Sequence, residues 1–166
     1  MSNQSLVFTS IGVVRSPFTE AAGTPIQPVG TAAASGEVII DEAYAEGLRD
    51  LDGFSHIHLL YVFHRAGPLR LSVVPFLDTK PRGVFATRAP SRPNPIGLSL
   101  VRLVGRDGCV LSIAGIDMLD GTPVLDIKPY IPSLEPVSGV RLGWLEGKAE
   151  RMAAQTADGR FGGESR

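Results

Sequence analysis

Ten residues, Arg88-Ala89-Pro90-Ser91-Arg92-Pro93-Asn94-Pro95-Ile96-Gly97, constrain what this chain can fold into more than any other stretch. Proline removes a backbone donor and holds φ near about −65°, so three prolines in ten residues exclude a helix interior and a central strand. The segment is expected to be a shaped turn between elements, not a spacer. Each proline also biases its predecessor towards extended geometry, so the guanidinium groups of Arg88 and Arg92 start from a stiff path that loses little entropy on binding. A guanidinium grips a carboxylate, a phosphate or a carbonyl edge. Residue types alone leave open whether the loop is such a grip, a rigid surface turn or a Pro-rich ligand for another module.

The chain has 166 residues, 43% hydrophobic and 20% charged, which suffices for one core and is short for two, so one domain is expected. The single cysteine, Cys109, cannot form an internal disulfide and sits in an apolar alternating run, which suits a buried thiol in a reducing compartment. Met1-Ser2-Asn3-Gln4-Ser5 is not the basic start of an export signal, and no uncharged apolar run approaches membrane-spanning length. A soluble cytoplasmic protein is the expectation. Its net charge of −1 conceals an asymmetry: residues 65–106 hold eight of the sixteen basic residues against one acid, Asp78. Folded onto one face, that segment would attract a polyanion; interleaved with other strands, its charges would be mixed.

Leu6–Val14 is rich in β-branched and aromatic residues and stops at Pro17, so it reads as a strand, and residues 19–36 as an irregular loop. A short strand over Glu37–Ile40 precedes Asp41, which can cap a short helix with Tyr44, Leu48 and Leu51 on one face. Phe54–His64 is the strongest strand signal. Alternation puts Phe54, His56, His58, Leu60, Val62 and His64 on one side and Ile57, Leu59, Tyr61 and Phe63 on the other. His-x-His on a strand is compatible with a metal, but His64 lies roughly 20 Å beyond His58 along an extended chain, too far to share one. No local carboxylate completes a set, so no metal is expected; structural histidines, or a His64 that meets substrate, are the alternatives.

Leu71–Leu77, Leu98–Val104, Cys109–Ile116 and Val124–Ile127 read as further strands, with Gly105-Arg106-Asp107-Gly108 as a hairpin turn and Asp117–Thr122 as a loop. Gly143–Gln155 could form one amphipathic helix, and the Gly-rich end from Ala157 is expected to be loose. Short strands with frequent turns predict an all-β fold of the barrel or sandwich kind with only brief helices. No G-x-G-x-x-G, Walker A, G-x-S-x-G or Cys/His quartet is present, which disfavours Rossmann, P-loop, α/β-hydrolase and zinc-module folds.

Five blocks in order, Ile11–Pro17, Phe54-Ser55-His56, Gly83–Arg88, Arg92–Gly97 and Asp120–Tyr130, resemble the TsaA-like family, and the resemblance runs from Ile11 to about Pro132. It implies a small β-barrel methyltransferase, unlike the Rossmann type, using S-adenosylmethionine and working as a homodimer. The bacterial members of that family include an enzyme that acts on N6 of a threonylcarbamoylated adenosine beside the anticodon of tRNA, and the resemblance implies the same acceptor here. It further implies a barrel domain over residues 1–140, followed by a helix and flexible tail over 141–166.

Carried over by position, the cofactor would meet Pro28, Val29, Gly30, His64, Arg65, Arg88, Leu98, Asp117, Met118, Leu119 and Asp120. Such a ligand wants acceptors for its ammonium and ribose, which Asp117 and Asp120 offer, and a donor for its carboxylate, which Arg65 or Arg88 offers. An apolar wall of Leu98, Met118 and Leu119 suits its adenine and methyl sulfonium. For the acceptor side, Asp126 is the expected orienter of the amine, Tyr130 a stacking platform and Lys128 an anion contact, with Arg92 and Asn94 on the substrate. The pattern departs from the family where Ile26 replaces an arginine, His58 a tryptophan and Ser91 a larger residue. A methyltransferase for a small amine and a non-catalytic RNA-binding barrel are the competing expectations.

Overall fold

The computed structural model describes residues 4–26, 34–134 and 137–162. Its strands are β1 (Gly12–Arg15), β2 (Ser35–Ile40), β3 (His56–Val62), β4 (Ser72–Val73), β5 (Arg82–Gly83), β6 (Ile96–Asp107), β7 (Val110–Ala114) and β8 (Pro123–Pro129). Six of them close a barrel in the order β1-β2-β7-β6-β3-β8, and β4 and β5 form a separate ribbon. The expected mainly β architecture is the observed one.

Alternation builds the barrel interior. On β3, Ile57, Leu59 and Tyr61 point inward and His56, His58, Leu60 and Val62 outward, as read from the sequence. Val14, Val38, Ile57, Leu59, Val101, Leu111, Ile113, Ile116 and Val124 are all within 1% of full burial. At about 1.5–3 kcal/mol for each buried aliphatic side chain, this layer is the main source of stability. Gly97 is required at its place on β6: a Cβ there would lie 2.3 Å from Cε2 and Cζ of Tyr61, whose ring rests on that backbone.

Several elements differ from expectation, each for a local reason. The first strand starts only at Gly12, and Leu6, Val7 and Phe8 are exposed because β2 and β8 offer pairing partners from residue 12 onward. The segment after Asp41 is a 3-10 helix, Glu42–Leu48, whose cap is the Ala43 amide donating to Asp41 Oδ1 at 2.9 Å. With three residues per turn, Tyr44 does not stack over Leu48, and Tyr44 is exposed while Leu48 is buried. Of Leu71–Leu77 only Ser72 and Val73 pair, with Arg82 and Gly83. The hairpin is present but tighter: β6 runs to Asp107, which pairs with Val110 across Gly108 and Cys109, and Gly108 takes φ +57°.

The end of the chain corrects two expectations. Instead of one helix there are 3-10 segments at Gly143–Leu145 and Ala149–Ala154, separated where Gly147 adopts φ +69°. Residues 157–162 are not loose. The Ala157 amide donates to Thr24 O at 2.7 Å, and the Gly67 amide to Phe161 O at 3.0 Å. Phe161 is 9% exposed and joins Val73, Val84, Ala89 and Phe76 in a second small core. One large apolar side chain in a Gly-rich stretch was enough to anchor it.

Candidate active site

The last segment returns across the barrel as a strap, and between strap and barrel lies a cavity of about 640 Å³. Met118, Leu98 and Tyr61 contribute to its barrel side, Trp144, Leu145, Met152 and Phe161 to its strap side, and residues 85–90 to its flank. The strap is pinned at several points. Trp144 Nε1 donates to Ala86 O at 2.7 Å, Lys148 Nζ lies 3.3 Å from Asp78 Oδ1, and Thr156 and Gly162 bridge to Pro25 and Ala66.

The structure gathers most of the cofactor residues expected from the family into this cavity: His64, Arg65, Arg88, Leu98, Asp117, Met118 and Leu119 all line it. Pro28, Val29 and Gly30 lie outside the described residues. Asp120 is not in the lining. Its Oδ1 accepts from the Ser16 amide at 3.1 Å and its Oδ2 is 3.6 Å from Arg15, so it ties the loop to the end of β1.

Asp117 is the unusual group. Ser99 Oγ donates to its Oδ1 at 2.8 Å, and burial pushes its pKa up to about 6 against the lowering pull of that bond and of Arg88. Below Ser99, the Tyr61 hydroxyl lies 3.1 Å from Ser99 Oγ, and burial followed by Asp117 pushes the phenol pKa upward. Desolvation, then Arg65, holds His64 below its ordinary pKa, with Asp120 opposing. Thr122 Oγ1 is 3.4 Å from His64 Nδ1 and already donates to Leu119 O at 2.7 Å, so the contact requires the proton on Nδ1 and leaves Nε2 as an acceptor.

The Pro-rich loop divides its arginines. Arg88 is exposed at the cavity, whereas Arg92 Nη1 donates to Thr87 O at 2.8 Å, Val84 O at 3.2 Å and Ala89 O at 3.3 Å. Arg92 therefore staples its own loop while lining the cavity, and its guanidinium lies 5.7 Å from the Phe85 ring centre. Asn94 is exposed on the turn and outside the lining. Asp126 and Lys128 stand on β8 and Tyr130 just beyond its end, on the outer barrel wall. Asp126 pairs with Lys128 at 2.7 Å, and Tyr130 packs edge-on against His56 and His58.

The wall and the cavity are nevertheless neighbours. Leu98, Leu60 and Asp126 occupy one register row across β6, β3 and β8 and point outward, so Asp126 stands about 10 Å from the cavity edge at Leu98. Among the described residues no three His, Cys, Asp or Glu side chains converge as a metal site would require.

Residues 13–135 match the family profile of the tRNA-methyltransferase O N-terminal domain. The chain belongs to that family. A probable S-adenosyl-L-methionine-binding protein of Pyrococcus abyssi is 47% identical over 94% of this chain and 85% of its own length. The tRNA (adenine(37)-N6)-methyltransferase of Escherichia coli is 40% identical over 93% of this chain and 71% of its own. The crystal structure of TrmO from Pseudomonas aeruginosa superposes with a TM-score of 0.71 at 42% identity, covering 84% of this chain and 62% of that one. The chain thus spans under two thirds of that tRNA-methyltransferase O structure.

Sequence reasoning missed Ser99, Tyr61 as a polar group, Phe85 and the strap. Ser99 carried a faint signal as a hydroxyl between Leu98 and Leu100 at an inward position. Phe85, 74% exposed on a pinned 3-10 turn and lining the cavity, carried none.

Proposed function

We propose that the protein is an S-adenosylmethionine-dependent methyltransferase whose acceptor is N6 of an adenosine beside the anticodon of tRNA, bearing a threonylcarbamoyl group. The observation that carries this reading is one cavity holding an acid, Asp117, a base, Arg88, and an apolar wall of Leu98, Met118 and Leu119. That donor set fits the cofactor: Arg88 for its carboxylate, Asp117 for a cationic group, the apolar wall for its adenine. A volume of about 640 Å³ lies within the range of roughly 300–1,000 Å³ typical of small-molecule sites. When bound, S-adenosylmethionine supplies a methyl group made electrophilic by its sulfonium.

The chain's own residues have three tasks. They hold the amine nitrogen in line with the methyl carbon, which in ideal intramolecular cases lowers a barrier by about 7–11 kcal/mol. Phe85 at the cavity offers an exposed ring for a base to stack on, and Asp126, on the row leading from Leu98, orients the amine. Neutral His64, with Nε2 free of its proton, is able to receive the proton the amine loses. The protein works as a homodimer in the cytoplasm.

The test is transfer of a tritiated methyl group to total tRNA from a strain lacking the protein, followed by nucleoside mass analysis. Label in N6 of the threonylcarbamoylated adenosine is the expected result. Cofactor binding without label in tRNA would shift the reading to a small-molecule amine.

A further inference from the structure

Two buried hydroxyls meet where the largely apolar barrel interior reaches the cavity, that of Ser99 behind the lining and that of Tyr61, whose residue contributes to it. Ser99 is 2% and Tyr61 4% exposed, and they come from β6 and β3, while Asp117 follows β7. Buried hydroxyls are costly unless satisfied, and these two satisfy each other and Asp117 in one direction only. The Ser99 proton is committed to Asp117 Oδ1, so its oxygen can only accept from Tyr61, and the phenol, kept protonated by burial, donates. The result is a chain of donors that ends on Asp117, the one carboxylate among the described residues that line the cavity.

We propose that the hydroxyls of Ser99 and Tyr61 position Asp117 as the acceptor for a positively charged group of the cofactor, and that Ser99, which is outside the lining, influences cofactor affinity only through Asp117. The proposal rests on the cofactor reading above. The charged and titratable groups facing Asp117 are Tyr61 from β3 and Arg88 from the Pro-rich loop. Burial, then the charge of Asp117, keeps Tyr61 from ionising in the working range. Asp117 itself titrates near 6, so its carboxylate, and with it cofactor affinity, declines as pH falls through that value. The Ser99 bond lowers the Asp117 pKa, so its loss moves the decline to higher pH.

The experiment is calorimetric titration of the full chain with S-adenosylmethionine and with S-adenosylhomocysteine between about pH 4.5 and 7.2, below the range where an α-amino group titrates. Wild type should lose affinity as pH falls through about 6. Ser99→Ala should move that midpoint upward, Tyr61→Phe should move it less in the same direction, and Ser99→Thr should restore it. His64 also lines the cavity, with desolvation and then Arg65 holding it below its ordinary pKa, so the deciding comparison is made in an Asp117→Asn background. There Ser99→Ala should change affinity less than twofold, whatever pH dependence His64 contributes. Dependence on pH with both ligands identifies the shared ammonium as the partner, and dependence with S-adenosylmethionine alone identifies the sulfonium.

An unmoved midpoint in Ser99→Ala overturns the proposal, as does an equal loss of affinity on adding Ser99→Ala to Asp117→Asn. If wild type binds neither ligand, the cofactor reading itself fails, and the proposal with it.

Discussion

At position 117 a carboxylate is held where its charge is disfavoured, and the fold is less stable for it. Between about pH 3.8 and 6 an unfolded chain gives up this proton while the folded protein keeps it, so stability falls as pH rises across that window and stays reduced above it. Asp117→Asn should therefore stabilise the ligand-free protein by at most about 3 kcal/mol above pH 6 and by little below pH 4, read by urea unfolding at the two pH values. Gly97 shows the opposite relation between side chain and space. Because a Cβ at this position would strike the Tyr61 ring, Gly97→Ala should destabilise by about 1–3 kcal/mol, and near-ultraviolet circular dichroism should register the displaced ring. The glycine was legible in the sequence as part of a Pro-rich turn, but its partner was not. Which aromatic ring lies against it depends on the pairing of Tyr61 with Gly97 across β3 and β6, a register that no local pattern states.

Among the elements, β3 was readable because two-residue alternation and burial coincide over its whole length, and the β6–β7 hairpin because glycine marks its turn. The 3-10 segments were not. Their short runs carry no period distinct from an α-turn, and tertiary bonds hold them in place. The segment Val84–Ala86 is an example, since Arg92 Nη1 reaches carbonyls at 84, 87 and 89 from six residues beyond its end. The sequence assigned Arg92 to substrate as a free cation, while the geometry spends one of its nitrogens inside the loop. A lysine ammonium drawn to these carbonyls leaves the Phe85 ring without the planar guanidinium that lies over it. Arg92→Lys should accordingly lower stability by about 1.5–3 kcal/mol and raise the protease sensitivity of residues 84–92, with Arg92→Ala at least as severe.

For the molecule as a whole, the cavity exists because residues 143–162 fold back over the barrel, yet the match to the family ends at residue 135. The roof lies beyond all five blocks, and the periodicity of the barrel could not announce it. Apart from the buried Phe161 ring, its attachments are few and polar. Trp144→Ala removes both the indole bond to Ala86 and the ring flanked by Arg82 and Lys148, so amide exchange over 143–162 should accelerate at least tenfold while that of β3 and β6 is unchanged. Acid should act at the same place. The Arg82 guanidinium, with help from Lys148, holds the Asp78 carboxyl well below the usual carboxylate range, so the clasp is complete above about pH 4 and is lost as pH falls further.

The barrel closes where β1 meets β8, joining Gly12 to Val124. During synthesis a pairing that spans so much of the chain cannot form until most residues have left the ribosome, and long-range pairings of this kind are slow. Everything upstream must wait with its edge strands unpaired. The strap follows later still, since Thr156 and Gly162 must find Pro25 and Ala66. The ability to retain a small ligand is therefore the last property a newly made molecule acquires, and an incomplete chain that has closed its barrel has not yet gained it.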